Sequence, residues 1–472
     1  MPTRPLLGSP ERPVRVAVVG AGPAGFFVAE ALLQRDAPVF SVDLIERLPT
    51  PFGLVRAGVA PDHQKIKGVT KTFEKTAKSD RFRFLGNVEV GKDVSAAELA
   101  AHYDQVVYAV GSAVDRRLGI PGEELRDCHP ATAFVGWYNA HPDFRDFPFD
   151  LSAARAIVVG VGNVALDIAR VLLRSQEELA KTDIAGHALE QLRTSRVREV
   201  VVVARRGPAQ VAFAPGELRD IAALPGVAVT LDAAAVEADA EHLHGLEPQA
   251  RKNVELMLSL ARAAPHDAER TLRLEFWASP VEVLGDGRDR VCGLRLERTE
   301  PVRGPDGVKA RGTGQYFEID AGLVFRSIGY FGSPLPGVPF DAKAGVIPNL
   351  DGRVTESPGG AVRRATYAVG WIRRGPLGVI GTNKADGVAV AARMVEDVPG
   401  LTPVSDAART HTAVDVLLAS RKLRVTNLAA WSALDAAEVA TGQDRGKVRE
   451  KFTSVEDMMN ALLRAAPTRE EG

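Results

Sequence analysis

Two glycine-rich sequences in this chain have the residue types and spacing of loops that hold the phosphates of a dinucleotide. The first is Gly20-Ala-Gly-Pro-Ala-Gly25 and the second is Gly160-Val-Gly-Asn-Val-Ala165, each directly after an apolar stretch. In such a loop the first glycine permits a tight turn, the second lets the backbone approach a pyrophosphate, and the third small residue lets a helix pack against a strand. Two loops predict two bound nucleotides, and two nucleotides on one protein favour electron transfer between them.

An acidic residue, Glu46, completes the first pattern, because it ends the next apolar stretch after the first loop. A carboxylate in this place accepts hydrogen bonds from a ribose diol and repels a 2′-phosphate. We therefore expect Gly20, Gly22, Pro23 and Ala24 to bind a dinucleotide other than NADP. The alternative is a glycine-rich turn that binds no ligand.

Two arginines, Arg205 and Arg206, stand in the second pattern where the acid is missing. A guanidinium group pairs with a phosphate through two parallel hydrogen bonds, so the second site is predicted to hold NADP(H). The alternative is a solvated pair of arginines. Glu217, on the helix that follows, is either a hydrogen-bond acceptor for the adenosine or nicotinamide side or a solvated helix residue.

A third glycine-rich stretch, residues 370–383, has four glycines in twelve residues. A helix over 384–395 is predicted to follow it, with Thr382 or Asn383 as the N-cap. The positive end of a helix dipole stabilises an anionic reduced flavin as it stabilises phosphates. Trp371 is expected to cover one face of a ring system, or else to be a core tryptophan.

Alternating apolar strands and helices are predicted to position these loops. The first unit has a nearly all-apolar strand, a helix and a second strand, and the second unit repeats the order. The predicted fold class is α/β, with two Rossmann-like dinucleotide-binding domains, each a three-layer arrangement around a parallel sheet. The predicted elements are strands 14–19 and 41–46 with helix 23–34, then strands 156–159 and 199–204 with helix 163–173.

The tetrapeptide Tyr-Ala-Val-Gly occurs at 108–111 and again at 367–370, each time at the end of an apolar stretch. We therefore predict that the first domain is interrupted by the second. The proposed limits are 14–111 and 331–472 for the first nucleotide-binding domain, with a helical appendage from about residue 401, and 112–330 for the second, NADP-binding domain. Residues 273–300 alternate like antiparallel strands around a turn at 285–289.

The composition of the 472 residues excludes several function classes. The 59 basic and 60 acidic side chains nearly cancel, which gives no support for nucleic-acid binding. The two cysteines, Cys128 and Cys292, form no CxxC, so neither a metal site nor a redox dithiol is predicted. The first residues have no apolar signal core, and no stretch is long enough to insert into a membrane. We expect a cytoplasmic protein.

Six motifs together resemble the adrenodoxin reductase family, including bacterial NADPH–ferredoxin reductases of that type. They occur in order across most of the chain, and PFGLVRAGVAPDH and GWIRRGP are far more selective than a glycine fingerprint. The motifs are VGAGPAG at 19–25, PTPFGLVRAGVAPDH at 49–63, FVGWYNAH at 134–141, GNVALDIAR at 162–170, RRGP at 205–208 and GWIRRGPLGVIGTNK at 370–384.

The resemblance implies a flavoprotein oxidoreductase that passes electrons from NADPH, through FAD, to a ferredoxin-type iron–sulfur protein, one at a time. It also implies two sets of contact residues. The FAD set is Ala24, Glu46, Leu54, Val90, Trp371, Gly378, Val379 and Ile380. The NADP set, which the second loop extends with Gly162, is Arg116, Asn163, Val164, Ala165, Leu166, Arg205, Arg206 and Glu217, with Gly378 touching both nucleotides.

Two single residues are weighed beside these sets. His63 is the candidate for a polar neighbour of the flavin, with a structural role as the alternative. Asp220, an acid that is sometimes longer in relatives, is expected to make at most a weak contact with the flavin region or with His63.

Other functions share the two-nucleotide plan. An FAD- and NADPH-dependent monooxygenase and a non-catalytic redox sensor are the alternatives, whereas a disulfide reductase would need a cysteine pair.

Residues 47–83 hold nine basic and three acidic side chains. This basic stretch suits an acidic electron-transfer partner, and its alternative is a solvated helix face with Lys67, Lys71, Lys75 and Lys78 in one row.

Overall fold

Four β-sheets organise the part of the chain that the computed structural model describes, residues 5–241, 243–263, 267–304 and 307–465. The strands are β1 (Val14–Val19), β2 (Phe40–Glu46), β3 (Phe82–Gly86), β4 (Gln105–Tyr108), β5 (Val114–Asp115), β6 (Cys128–Pro130), β7 (Arg155–Val159), β8 (Glu199–Val203), β9 (Val227–Leu231), β10 (Arg270–Glu275), β11 (Ala278–Gly285), β12 (Val291–Gly304), β13 (Gly307–Asp320), β14 (Leu323–Arg326), β15 (Tyr330–Phe331), β16 (Asn349–Leu350), β17 (Arg353–Thr355) and β18 (Val362–Ala368).

Helices cover the sheets and follow the glycine turns. They are α1 (Pro23–Leu33), α2 (Leu54–Ala57), α3 (Gln64–Lys67), α4 (Thr70–Ala77), α5 (Ala96–His102), α6 (Ala131–Tyr138), α7 (Asn163–Leu173), α8 (Gln176–Leu179), α9 (Gly186–Arg193), α10 (Pro215–Ala222), α11 (Ala233–Ala240), α12 (Pro248–Arg262), α13 (Trp371–Arg374), α14 (Ile380–Asp397), α15 (His411–Ser420), α16 (Leu428–Asp444) and α17 (Val455–Ala465). Among the residues described, no helix combines the length and apolar character needed to cross a membrane.

The first sheet has the strand order β16-β17-β18-β4-β1-β2-β3. Strands β18, β4, β1, β2 and β3 run parallel, and β16 and β17 add an antiparallel edge. Every residue of β1 is buried, which explains why its sequence is apolar except for Arg15, whose guanidinium pairs with the buried Asp43 (2.8 Å). Val19 lies opposite both Ile45 and Tyr108, so the carboxyl ends of β1, β2 and β4 meet where the strand order reverses. Open α/β sheets bind their ligands at this point.

The second sheet, β6-β14-β7-β8-β10-β9, is parallel throughout. Helices pack on one of its faces, where Leu166, Leu218 and Met257 are fully buried. The antiparallel sheet β11-β12-β13 covers the other face. The prediction of antiparallel strands over 273–300 is therefore wrong at its start, because residues 273–275 belong to parallel strand β10; the hairpin is formed by β11 and β12.

The chain passes from the first sheet to the second and back through one short ribbon, the antiparallel pair β5 and β15. The second sheet takes all of its strands from residues 128–326, whereas the first takes strands from both sides of that range. This membership is what an interrupted first domain requires. The limits 14–111, 112–330 and 331–472 stay our proposal.

The helices after residue 401 are part of the hydrophobic core rather than a peripheral appendage. Trp431, Leu434 and Met458 are buried in the cluster that includes α1, and Val414 and Leu418 are buried on the other side of the same sheet. The C-terminal segment therefore helps to build the first domain.

Candidate functional site

The first glycine turn has the close packing that its pattern predicts. Gly20 has φ +109°, and a Cβ on it would lie 2.6 Å from the carbonyl oxygen of Ala109. A Cβ on Gly25 would lie 2.0 Å from the Gly20 oxygen, so the helix and turn are in contact. By contrast, no atom lies within 4 Å of the Cβ position of Gly22, which leaves an open cradle beside the start of α1. No side chain caps α1, so its first N–H groups can hold a phosphate.

Glu46 lies directly beside this cradle. Its Oε2 accepts a hydrogen bond from the Ala21 N–H (2.9 Å) and its Oε1 accepts one from the Leu48 N–H (3.2 Å). Burial raises the pKa of Glu46, and the two N–H donors oppose that effect. The side chain is thus at the turn, where the ribose of a bound dinucleotide is expected.

The late glycine stretch meets the first turn from the other side. A Cβ on Gly370 would lie 2.5 Å from the Ala24 Cβ. Trp371 stacks on Tyr330, with ring centroids 6.0 Å apart and 17° between the planes, and its buried Nε1 has no hydrogen-bond partner among the described residues. An indole that is packed on one side and has an unpaired donor fits a ring system as its second neighbour.

The predicted start of the following helix is wrong by four residues. Helix α14 begins at Ile380, so its N-cap is Val379 rather than Thr382 or Asn383. The Thr382 hydroxyl accepts a hydrogen bond from the Val379 N–H (3.2 Å). Of the four glycines in this stretch, only Gly381 is helical, in the first turn of α14, whereas Gly370, Gly375 and Gly378 lie outside the helices with positive φ.

The remaining residues of the expected FAD set divide into exposed and buried ones. Leu54 and Val379 are 48% and 62% exposed, which is unusual for apolar side chains beside a buried turn. Leu377, which the sequence analysis missed, is 71% exposed in the same loop. Gly378 is exposed, Ile380 is half-buried, and Val90 is buried in the core on one face of the first sheet. The open cradle, the uncapped helix and these apolar side chains all fit FAD.

The second glycine turn repeats the geometry of the first. Gly160 has φ +126°, and a Cβ on it would lie 2.1 Å from the Ser327 oxygen, whereas no atom lies within 4 Å of the Cβ position of Gly162. Helix α7 begins at Asn163 without a side-chain cap. Asn163 Oδ1 instead accepts from the Ala214 N–H (2.7 Å) and so ties the turn to the approach of α10. Val164 is half-buried, and Ala165 and Leu166 are fully buried.

Arg205 and Arg206 follow β8 and are both exposed. Within the described ranges, neither guanidinium makes a hydrogen bond or an ion pair, and their backbone is held by hydrogen bonds to the carbonyl oxygens of Arg205 (from Thr299, 2.8 Å) and Arg206 (from Trp277, 3.3 Å). Two unpaired guanidinium groups on a fixed backbone fit a 2′-phosphate. Arg116 lies in the ribbon between the sheets, with its guanidinium 4.3 Å from the ring centroid of Phe331.

Sequence analysis missed the most heavily paired group of the site, Arg170. Its side chain is 1% exposed and contacts three carboxylates: Asp62 (2.6 Å), Asp167 (2.5 Å) and Glu217 (2.8 Å). Asp62 belongs to the loop before α3, whereas Asp167 and Glu217 lie on α7 and α10. Arg170 therefore joins the loop next to the first sheet to two helices of the second. The only local signal was the Asp167–Arg170 spacing, which is common on helix surfaces.

His63 and Glu217 lie in this network, so Glu217 is not a solvated helix residue. The His63 Nε2 lies 3.6 Å from the Glu217 Oε2. Burial, followed by the charge of Asp167, raises the pKa of Glu217, and burial raises the pKa of Asp167. Ligand atoms of His63, Asp167 and Glu217 lie within 4.8 Å of one another. The Arg170 guanidinium supplies the positive charge that a metal ion would otherwise bring. Asp220 is exposed and lies outside the network.

Comparison with known proteins identifies the chain's relatives. Residues 14–253 match the family model "Pyridine nucleotide-disulphide oxidoreductase". The chain is 44% identical over 462 residues to the NADPH-ferredoxin reductase FprA of Mycobacterium tuberculosis, a match that covers 96% of this chain and 100% of the relative. It is 43% identical over 464 residues to the mitochondrial NADPH:adrenodoxin oxidoreductase of Homo sapiens, covering 96% and 92%.

A solved structure has the same fold over nearly the whole chain. Mycobacterium tuberculosis FprA in complex with NADPH matches with a TM-score of 0.90 and 44% identity, and the match covers 96% of this chain and 100% of that one. Sequence and structure both match over the full length of the mycobacterial relative, and the sequence match covers 92% of the human one. The chain therefore belongs to the adrenodoxin reductase family, within the pyridine nucleotide-disulphide oxidoreductases.

Proposed function

We infer that this protein passes electrons from NADPH, through FAD, to a ferredoxin-type iron–sulfur protein, one at a time. The observation that carries this inference is that the two glycine turns have side chains of opposite charge beside them. Glu46 lies beside the first turn, and two unpaired arginines follow the strand next to the second. The relatives named as NADPH-ferredoxin and NADPH:adrenodoxin reductases support the same function.

FAD, when bound, takes up the electron pair of NADPH and can release its electrons singly. The residues of this chain bind and orient the two nucleotides. Glu46 accepts hydrogen bonds from the ribose of FAD, and the free N–H groups at the start of α1 hold its pyrophosphate. Trp371 and the exposed side chains of Leu54 and Val379 exclude water from the ring system.

The residues of the second glycine turn hold NADPH beside the FAD site of the first turn. The start of α7 holds its pyrophosphate, and Arg205 and Arg206 hold its 2′-phosphate. Between the two sites, the His63 Nε2 lies 3.6 Å from the Glu217 Oε2, and burial raises the pKa of Glu217, so this carboxyl is the group that can hold a proton there. His63 is the catalytic residue we propose, as a polar neighbour of the flavin.

The docking surface for the iron–sulfur protein is narrower than the basic stretch over residues 47–83. Lys67 is not part of it, because its Nζ is held by both oxygens of Asp183 (2.7 Å each). Lys67 also lies on α3, and so the four lysines do not form one helical row. Lys71, Lys75 and Lys78 are exposed, and they are the basic side chains that we propose for an acidic partner.

We propose a cytoplasmic location. It is supported by the state of the two cysteines, since Cys128 and Cys292 are both free and a reducing compartment keeps thiols in this state.

The test is an absorption spectrum of the purified protein, followed during titration with NADPH and with NADH. We expect a yellow protein that NADPH bleaches at lower concentration than NADH. Ferredoxin is then added with cytochrome c, and cytochrome reduction should require both NADPH and ferredoxin. A colourless protein, or NADPH oxidation that needs an organic substrate and ignores ferredoxin, would contradict the proposal.

A further inference from the structure

The loop of residues 52–58 has a backbone conformation that its own residues do not favour. Phe52 has φ +83°, in a region that is costly for any residue with a side chain. The Phe52 N–H donates to the Ala21 oxygen (2.8 Å), and a Cβ on Gly53 would lie 2.9 Å from the Gly22 Cα. The loop thus lies directly on the first glycine turn. A strained backbone persists only where its surroundings hold it.

Helix α16 supplies these surroundings from far along the chain. Its buried residues Trp431, Leu434, Glu438 and Gly442 are spaced so that they share one face. The ring of Trp431 meets Phe52 edge-on, with centroids 5.7 Å apart and 87° between the planes. The loop therefore packs against the same helix face that carries Glu438.

Glu438 holds the loop through Arg56. Its side chain is 0% exposed, and its two oxygens accept hydrogen bonds from the two terminal nitrogens of Arg56 at 2.8 and 2.5 Å. The Phe452 N–H also donates to Glu438 (3.0 Å). A buried carboxylate is stable only when it is paired in this way, so the pair fixes the direction of the Arg56 side chain.

Lys451 holds the main chain of the same loop residue. Its buried Nζ donates to the carbonyl oxygens of Arg56 (3.0 Å) and Asn139 (3.3 Å) and lies 3.3 Å from Asp183. Asn139 and Asp183 follow α6 and α8, in the inserted part of the chain. Residues of one C-terminal segment, Glu438 and Lys451, thus bind the side chain and the backbone of Arg56, and Lys451 also contacts the second domain.

We propose that residues 428–452 act as a strap that sets loop 52–58 on the first glycine turn, with Glu438 and Lys451 as positioning residues for FAD binding. The proposal rests on the proposed FAD site and gives a role to the C-terminal segment. When the strap is released, the loop relaxes from its strained form. FAD must then order it again on binding, and the cofactor is held less tightly.

The test compares Glu438→Gln with the wild-type holoenzyme. FAD release is followed by the rise in flavin fluorescence after dilution, and we expect release to be about 10- to 100-fold faster in the variant, since one charge-assisted pair is lost. At saturating FAD the KM for NADPH should stay within about threefold, because the second glycine turn is untouched. Asp444→Asn is the matched control, because Asp444 is an exposed carboxylate on the same helix, whereas the partner of Asp435, Arg449, also lies 3.4 Å from Glu438.

Limited trypsin digestion gives a second readout that does not depend on the flavin. Cleavage after Arg56 should be faster in Glu438→Gln than in the wild type or the control. If Glu438→Gln does not fold, Lys451→Met takes its place, because Asp183 keeps its pair with Lys67; the same two effects are expected.

Arg56→Gln and the double variant decide whether the two residues act as one unit. The double variant should release FAD no faster than Glu438→Gln alone. Wild-type rates of FAD release and of cleavage in Glu438→Gln, or effects that multiply in the double variant, would overturn the strap. A wild-type protein that binds no FAD would refute the flavin site instead, and the cleavage rates would still decide whether the strap holds the loop.

Discussion

Replacing Arg205 and Arg206 together by alanine should remove the preference for NADPH over NADH. Both side chains are exposed and have no partner among the described residues, so their loss leaves the fold intact. A charge-assisted contact to a phosphate at a solvated site contributes about 1–1.5 kcal/mol after screening. Two such contacts give about 2–3 kcal/mol, which corresponds to a fall of about 30- to 150-fold in kcat/KM for NADPH. NADH has no 2′-phosphate and loses nothing.

The assay is steady-state reduction of an artificial acceptor with each nucleotide at varied concentration. The loss should fall on the KM for NADPH, because the phosphate lies far from the reacting ring. Arg196→Ala is the control, since Arg196 is an exposed arginine near the other end of β8. An equal rise in KM for NADPH and NADH would refute the assignment of the two arginines.

Four further changes have distinct outcomes. Glu46→Gln should weaken FAD binding about tenfold in a fluorescence titration, because an acceptor for the ribose becomes a donor; unchanged affinity would place the ribose elsewhere. Arg170→Met should lower the free energy of unfolding in urea by about 3–5 kcal/mol, because Asp167 and Glu217 lose their cation and Asp62 keeps only its pair with Arg174. Burial raises the pKa of Asp115 to about 6 in the folded protein, whereas its pKa in the unfolded chain is about 4. Below about pH 4 the carboxyl is protonated in both states and destabilises neither. As the pH rises through about 6, the folded state must hold a buried charge, and this part of the stability is lost. Asp115→Asn should therefore be more stable than wild type at pH 7.5, by up to about 3 kcal/mol, and equal to it near pH 4; the same difference at both pH values would contradict this. Reversing Lys71 and Lys75 to glutamate should raise the KM for ferredoxin at low salt and much less at high salt, and an unchanged KM at low salt would reject that surface.

Local patterns were enough to predict the strands, helices and turns of both nucleotide sites. The prediction of helix 163–173 is confirmed at both ends, because the preceding glycine and the apolar stripe mark its limits. Glu46 lies at the turn where its place at the end of a strand predicts it. The glycines and Glu46 are close in sequence to the strands and helices that position them. Their spacing along the chain therefore predicts where they lie relative to one another.

Contacts between distant segments could not be predicted in this way. Helix α14 starts four residues early because Ile380 packs against the core that includes α1 and the Thr382 hydroxyl accepts a hydrogen bond from the Val379 N–H; propensity alone favours a loop there. The sequence around Arg170 indicates only a surface pair with Asp167. Its partner Asp62 is 108 residues away, so no local pattern predicts that contact. Glu438 carries no motif at all, and only the folded chain shows that it faces Arg56.

The interrupted order of the strands also sets the order in which the protein can be made. Strand β4 can pair with its neighbour β18 only after residue 368 has been synthesised, because Tyr108 lies opposite Ala368. At a synthesis rate of about 5–20 residues per second, the ribosome needs roughly 13–50 s to go from the first of these residues to the second. The second sheet, whose strands all lie between residues 128 and 326, can be completed in that interval. The nucleotide unit in the middle of the chain is therefore expected to fold before the unit that surrounds it, and the cofactor of the outer unit can be taken up only near the end of translation.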